Sequence, residues 1–215
     1  MTDMELFKQE CTSFFDSLEM EEHSRLVFGD GLVNRPVLML IGEAPGEQEA
    51  LQGKPFVGKA GKNLDSFLRA VSLNREEIYI SNVVKVRPTK RSTAGRTVNR
   101  PPSKEEKALF IPWLMKEIAI VRPQALVTLG NVALQAFIGD TIGNRHGRWS
   151  SASIQTTGEI SFTLPLFALY HPASVIYNQS LKATYEDDLQ KLFQSLDAYT
   201  SDKNDISTPH LYAVK

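Results

Sequence analysis

A short apolar run that ends in glycine most constrains what this chain can fold into. Residues 37–41 read Val-Leu-Met-Leu-Ile, and residues 42–46, which follow directly, read Gly-Glu-Ala-Pro-Gly. A continuous apolar run of this length is typical of a strand buried on both faces of a parallel sheet. A second glycine-rich stretch follows at residues 53–61. We therefore predict a cradle at the end of a buried strand, where backbone N–H groups, the Glu43 carboxylate and the Phe56 ring share one rim.

Helix and strand patterns alternate along the rest of the chain. Amphipathic helices are predicted at residues 4–18, 60–71, 103–120 and 182–198, and buried strands at 37–41, 78–84, 125–129 and 164–170. A hairpin is predicted within residues 145–163, and residues 85–102 are predicted to be a long polar loop. Strands that alternate with helices indicate an α/β fold with a parallel sheet covered on both faces. We expect a single domain over residues 1–200 and a polar tail over residues 201–215.

Composition narrows the class of protein. The chain has 215 residues, a net charge of −1 and one cysteine. A lone cysteine, Cys11, excludes an internal disulfide and a multi-cysteine metal site, and it is typical of a reducing cytoplasm. The beginning of the chain lacks an apolar core, and no apolar run is long enough to span a bilayer. We expect a cytoplasmic protein without a membrane partner.

Polar residues stand at or near the ends of three predicted strands. They are Glu43, Asn82 and His171. In an open α/β sheet, ligands bind outside the carboxyl ends of the strands, so we expect these side chains to converge. Two of them have an alternative structural role: Asn82 as an amide that holds a loop, and His171 as a packed histidine. Phe56, likewise, has the alternative of anchoring its loop in the core.

Positive charge is concentrated in the predicted polar loop. Residues 85–104 contain no acidic residue, and their cations include Lys85, Arg87, Lys90, Arg91, Arg96 and Arg100. Such a run is often simply a solvated loop. In a chain of net charge −1, its position beside the expected site favours contacts with phosphates.

Four motifs in order resemble the uracil-DNA glycosylase superfamily, and most of all its family 4. They are residues 42–46, residues 53–61, Ser-Asn-Val-Val-Lys at 81–85 and His-Pro-Ala at 171–173. The resemblance covers about residues 35 to 195. It implies a three-layer α/β/α sandwich around a central four-stranded parallel sheet. It also implies a partner, uracil-containing DNA, which a monomer would scan.

The resemblance also implies roles for individual residues. Phe56 would stack on a flipped uracil, Asn82 would read its edge, and His171 would donate to uracil O2. Glu43 and Glu49 would orient water or stabilise the sugar. Ala44 stands where other branches of the superfamily carry a water-activating aspartate, so stabilisation of the leaving group gains weight. Further contacts are expected to substrate from Ala44 and Gly46, and to DNA from Ala173 and Ser174.

Departures from the family pattern concern its iron–sulfur cluster. The family's cysteine positions in two motifs are Val86 and Phe110 here, and cluster ligation needs several thiolates. We predict no cluster, no metal and no small-molecule cofactor, with Val86 and Phe110 supplying apolar packing against the N-terminal helix.

The expected activity is that of a monofunctional uracil-DNA glycosylase, a hydrolase that starts base-excision repair. Two alternatives remain open at this point. One is a protein of the same fold that binds uracil or damaged DNA without turnover. The other is a glycosylase for another deaminated base, such as hypoxanthine or xanthine.

Overall fold

The computed structural model describes residues 1–18, 25–158 and 160–201. Its helices are α1 (Asp3–Asp16), α2 (Glu47–Gln52), α3 (Lys59–Ala70), α4 (Lys104–Val121), α5 (Asn131–Gln135), α6 (Ile142–Arg145), α7 (Pro172–Tyr177) and α8 (Leu181–Ser201). Its strands are β1 (Asp30–Gly31), β2 (Leu38–Gly42), β3 (Tyr79–Asn82), β4 (Thr89–Arg91), β5 (Thr97–Asn99), β6 (Ala125–Leu129), β7 (Trp149–Gln155) and β8 (Ser161–Leu169). Most of the predicted polar tail, residues 202–215, lies outside the described residues.

The main sheet has the strand order β1-β3-β2-β6-β8-β7. Its four central strands are parallel, as predicted. The two outer strands, β1 and β7, pair antiparallel, so the sheet is a mixed six-stranded sheet rather than a four-stranded one. β7 belongs to the predicted hairpin and pairs with β8 from Trp149 to Gln155. β1 has only two residues, which is too short for a periodic pattern to reveal it.

Alternating side chains of the central strands feed two separate apolar layers. Met39, Ile41 and Leu126 pack on one face with residues of α1 and α4. Leu40 and Ile80 pack on the other face with residues of α3 and α8. A sheet with two helical layers is the three-layer α/β/α arrangement that was predicted.

The predicted polar loop contains a hairpin. β4 and β5 form a separate two-stranded sheet with Thr89 opposite Asn99 and Arg91 opposite Thr97. The prediction of a loop was therefore wrong for these residues, which form two short strands. Its turn includes Gly95 at a φ of +74°, a backbone conformation that glycine adopts without steric cost. Arg100 fixes the base of the hairpin, because its guanidinium donates to the Thr89 carbonyl and to both Glu106 oxygens.

Apolar packing between α1 and the segment before the hairpin is confirmed. Cys11, Val86 and Phe110 are buried in one cluster, and the rings of Phe15 and Phe110 stack with their centroids 4.2 Å apart. Burial raises the pKa of the Cys11 thiol to about 12, with the Lys85 charge opposing this increase, so the sulfur stays protonated. This cluster is the hydrophobic contact between α1 and α4.

Within the described ranges, none of the helices combines the length and the apolar character needed to cross a membrane.

We predict that Phe110→Ala lowers the free energy of unfolding by about 3–5 kcal/mol, since a fully buried, stacked ring is replaced by a cavity. Urea denaturation followed by circular dichroism measures the loss. Phe14→Ala, which removes a partly exposed ring from α1, is the matched control and should cost less. Equal losses in the free energy of unfolding for the two variants would contradict the assignment of Phe110 to the hydrophobic contact between α1 and α4.

Candidate active site

The ends of β2 and β3 bring the first two predicted site residues together. Gly42 is paired with Asn82 in the register of these parallel strands. A Cβ atom added to Gly42 would lie 2.4 Å from Asn82 Oδ1 and 2.6 Å from Phe56 Cζ. The absent side chain at position 42 therefore makes room for the amide and the ring to meet on one side of the sheet.

Phe56 is held in a strained conformation at this edge. Its φ is +53°, which is uncommon for a residue with a bulky side chain, and its side chain is buried in the layer that contains Leu40. Arg75 donates to the carbonyl oxygens of Pro55 and Phe56 and forms an ion pair with Asp65. These contacts stabilise the turn that presents the ring.

The Glu49 carboxylate joins the two glycine-rich stretches. It accepts hydrogen bonds from the backbone N–H groups of Gly46, Val57 and Gly58, at 3.1, 3.0 and 2.7 Å. The open N–H cradle expected from the sequence is thus already filled by a carboxylate of the chain itself. This engages the Gly46 N–H and makes Glu49 a clamp between two loops.

Asn82 is 2% exposed and ends β3. Among the described residues, none forms a hydrogen bond with its side-chain amide, although such bonds are the rule for buried polar groups. An amide carries one acceptor and two donors, so these groups remain available for a planar polar ligand.

His171 is the N-cap residue that precedes the short helix α7, and it lies close to Phe56, with ring centroids 5.8 Å apart. Its Nδ1 accepts the backbone N–H of Ala173, which leaves the ring proton on Nε2. Burial lowers the pKa of His171 to about 4, while the nearby Glu49 charge acts in the opposite direction. At neutral pH the ring is an uncharged donor with a fixed tautomer.

The remaining predicted residues of the first motif lie directly beside Gly42. Burial raises the pKa of the Glu43 carboxyl above its ordinary value, and the Lys107 ammonium opposes this increase. Ala44 is partly buried and packs against the layer below. Glu43 is therefore a partly buried carboxyl group next to Gly42 in the chain, and it takes no part in the hydrogen bonds that Glu49 accepts.

Lys85 does not fit its predicted role in DNA binding. Its side chain is fully buried, and its ammonium lies 2.5 Å from Glu117 Oε2. A phosphate cannot reach a charge that is enclosed in the core, so this prediction was wrong.

The other predicted DNA contacts fall into three groups. Lys90, Arg91 and Arg96 are exposed on the hairpin. Arg87 is bonded to Asn99 and paired with Glu47, and Arg100 supports the hairpin through Glu106.

In the His171 loop, the N–H groups of Ala173 and Ser174 both bond back to His171. These two backbone groups serve the loop itself.

Sequence reasoning missed Arg75 and Glu117. Arg75 lies in a polar turn and looks like a solvated cation, whereas Glu117 is a carboxylate inside the apolar run of α4. The second case had a signal that was overlooked, because a charged residue within a buried helical face requires a buried partner.

An iron–sulfur cluster of the kind found in family 4 does not fit these residues. Val86 and Phe110 fill the corresponding positions with apolar side chains, and the sequence holds one cysteine. Throughout the part of the chain that the structure describes, no three His, Cys, Asp or Glu side chains are grouped to hold a metal.

Comparisons with known proteins identify the family of this chain. The family model described as the uracil DNA glycosylase superfamily matches residues 28–197. A type-4 uracil-DNA glycosylase of Saccharolobus solfataricus is 33% identical over 74% of this chain and 71% of the relative. One from Sulfurisphaera tokodaii is 32% identical over 89% of this chain and 84% of the relative.

A solved structure shares the fold at a greater distance in sequence. The crystal structure of Pedobacter heparinus SMUG2 has a TM-score of 0.53 and 17% identity, over 78% of this chain and 77% of that one. The family match spans the whole sheet and every residue of the site described above. The chain therefore belongs to the uracil-DNA glycosylase superfamily, with type-4 uracil-DNA glycosylases among its relatives.

Proposed function

We propose that this chain is a monofunctional uracil-DNA glycosylase, which hydrolyses the bond between uracil and deoxyribose. The observation that carries the proposal is the convergence of an unbonded amide, an aromatic ring and a neutral histidine at one edge of the sheet. The type-4 uracil-DNA glycosylases that resemble the chain support the same substrate. A base inside a duplex is inaccessible to such a site, so the enzyme must turn it out of the stack.

Asn82 supplies the discrimination between bases. Uracil presents an acceptor at O4 and a donor at N3, which match the amide NH₂ and carbonyl oxygen of one asparagine side chain. Cytosine presents a donor at N4 and an acceptor at N3, which is the reverse pattern. A buried amide left facing the wrong pattern is unsatisfied, and that mismatch costs about 1–3 kcal/mol per group. Phe56 holds the base in plane by stacking on one face.

His171 stabilises the leaving group. When the bond between C1′ and N1 breaks, its electron pair goes to the base and negative charge develops on O2. The Nε2–H group donates to this oxygen, and a donor placed in advance typically contributes ~10²–10³-fold in rate. Water adds to C1′ and loses a proton, and the uracil anion takes up one proton, so that the products are an abasic site and free uracil. Glu43 faces the positive charge that develops on the sugar, whereas Glu49 acts by holding the Phe56 loop.

The hairpin supplies contacts to phosphate. Lys90, Arg91 and Arg96 form an exposed cationic surface on a chain whose net charge is −1. The local charge, rather than the overall field of the protein, then draws the DNA to the site.

The direct test of the function is excision from uracil-containing oligonucleotides, with alkaline cleavage of the abasic product as the readout. We expect the wild type to act on uracil and not on matched cytosine substrates. His171→Ala should lower the single-turnover rate ~10²–10³-fold, and Asn82→Ala should also lose activity, with both variants folded. If the wild type does not cleave above background from pH 5 to 9, the proposal fails.

The titration of His171 gives a second prediction. We expect NMR signals of its imidazole to titrate with a midpoint of about 4, as the Nε2–H tautomer at higher pH. The unfolded chain takes up this proton near pH 6.5. The contribution of neutral His171 to the free energy of unfolding is therefore complete above pH 6.5 and is lost as the pH falls through about 4. A midpoint near 6.5 would contradict a neutral, buried donor.

The salt dependence of DNA binding tests the hairpin. Each of Lys90→Ala and Arg96→Ala should reduce by about 1 the slope of the logarithm of the DNA-binding constant against the logarithm of the salt concentration. The reason is that a phosphate without its protein cation keeps its counterions when the DNA binds. Arg69→Ala, in the last turn of α3, is the matched control and should leave the slope unchanged. Unchanged slopes for all three variants would place the DNA elsewhere.

A further inference from the structure

A fully buried ion pair lies directly behind the site. Lys85 and Glu117 are both 0% exposed, and the Lys85 ammonium lies 2.5 Å from Glu117 Oε2. The second oxygen of Glu117 accepts from the Tyr79 hydroxyl at 2.9 Å. Both charges are therefore satisfied within the core, between β3 and α4.

The same ammonium is bonded to the residue that reads the base. Lys85 Nζ donates to the Asn82 carbonyl oxygen at 2.8 Å and lies 2.6 Å from Ser81 Oγ. β3 ends at Asn82, so this carbonyl lies at the point where the strand stops. The ammonium thus holds the backbone of the last residue of β3 through a side-chain hydrogen bond.

The two sides of the strand have separate tasks. Successive residues of a strand point to opposite faces, so Ser81 faces Glu117 while the Asn82 amide faces Phe56. The Lys85 contact reaches only the backbone of Asn82 and leaves the amide free for a ligand. The carbonyl group and the side chain of Asn82 are attached to the same Cα, so the bond that holds the carbonyl also limits movement of the residue that carries the amide.

Stability alone is a weak reason for such a pair. Removing two charges from water is costly, and well-packed apolar residues often serve the core as well or better. Apolar side chains, however, would remove the donor that the Asn82 carbonyl has in the Lys85 ammonium. The feature that an apolar pair could not reproduce is the fixed orientation of this peptide.

We propose that Lys85, held by Glu117, is a positioning residue that orients the Asn82 amide for base recognition. This inference rests on the proposed glycosylase function. It replaces the role in DNA binding that the sequence favoured for Lys85. Lys85 acts through Asn82 and does not touch the substrate.

Four proteins test the proposal. They are the wild type, Glu117→Gln, the double variant Lys85→Met with Glu117→Gln, and Lys116→Met. Glu117→Gln leaves the Lys85 charge without its anionic partner but keeps the N–H donors of Lys85 near the Asn82 carbonyl. The double variant removes both charges and that donor, while the amide oxygen introduced at position 117 can still accept from Tyr79. Lys116→Met removes a partly exposed ion pair from the same helix and is the matched control.

Each protein is assayed for melting temperature, single-turnover excision of uracil and half-saturation by DNA, at a temperature where all are folded. We expect Glu117→Gln to lose the most stability but to keep an excision rate within about threefold of the wild type. The double variant should be more stable than Glu117→Gln and yet excise uracil about 10- to 100-fold more slowly, as expected for a misplaced group. Half-saturation by DNA should change little, and the control should match the wild type.

Excision rates that follow stability across the series would overturn the proposal, because the pair would then be purely structural. If the double variant does not fold, Glu117→Gln decides alone, since a rate that falls with its stability has the same meaning. A wild type without excision would instead contradict the proposed function. The same proteins would then be compared for binding of free uracil, where weaker binding by the double variant supports the positioning role and equal binding refutes it.

Discussion

The three hydrogen bonds that Glu49 accepts determine the shape of the site. By joining the N–H groups of Gly46, Val57 and Gly58, this carboxylate fixes the loop after β2 against the loop before α3. Phe56 lies between these anchors at a positive φ, a conformation that costs of order 1–3 kcal/mol and persists only when its surroundings enforce it. Arg75 adds to this support because its guanidinium donates to the Phe56 carbonyl oxygen. The aromatic ring is consequently placed before any substrate arrives.

A common principle governs the other two recognition groups. The His171 ring is fixed through Nδ1 by the Ala173 N–H, and the Asn82 backbone is fixed by Lys85, so each group keeps its outward polar atoms free. Preorganised donors of this kind need no rearrangement when charge develops in the transition state. Binding energy that would otherwise order side chains is left for turning the base out of the duplex. The same rigidity explains why an amide without a partner is tolerated at the end of β3.

The sequence predicted the four parallel strands because each is a short apolar run bounded by turn residues. It also predicted that polar residues at the carboxyl ends of such strands share one edge, where Asn82 lies near Phe56 and Phe56 near His171; the convergence of Glu43 with them stays a prediction. It failed for β1, which is too short for a pattern, and for the hairpin, whose strands carry exposed polar residues. It failed for Lys85 because charge alone does not reveal burial. Glu117, 32 residues further along the chain, decides where that ammonium lies.

The central claim is that the ring of Phe56, the amide of Asn82 and Nε2 of His171 together form the receptor for one uracil. A crystal structure of the protein with the free base tests it most directly. We predict a uracil stacked on Phe56, with O4 and N3 bonded to the Asn82 amide and O2 within hydrogen-bond distance of His171 Nε2. A base bound elsewhere, or one with O2 turned away from His171, would contradict the account.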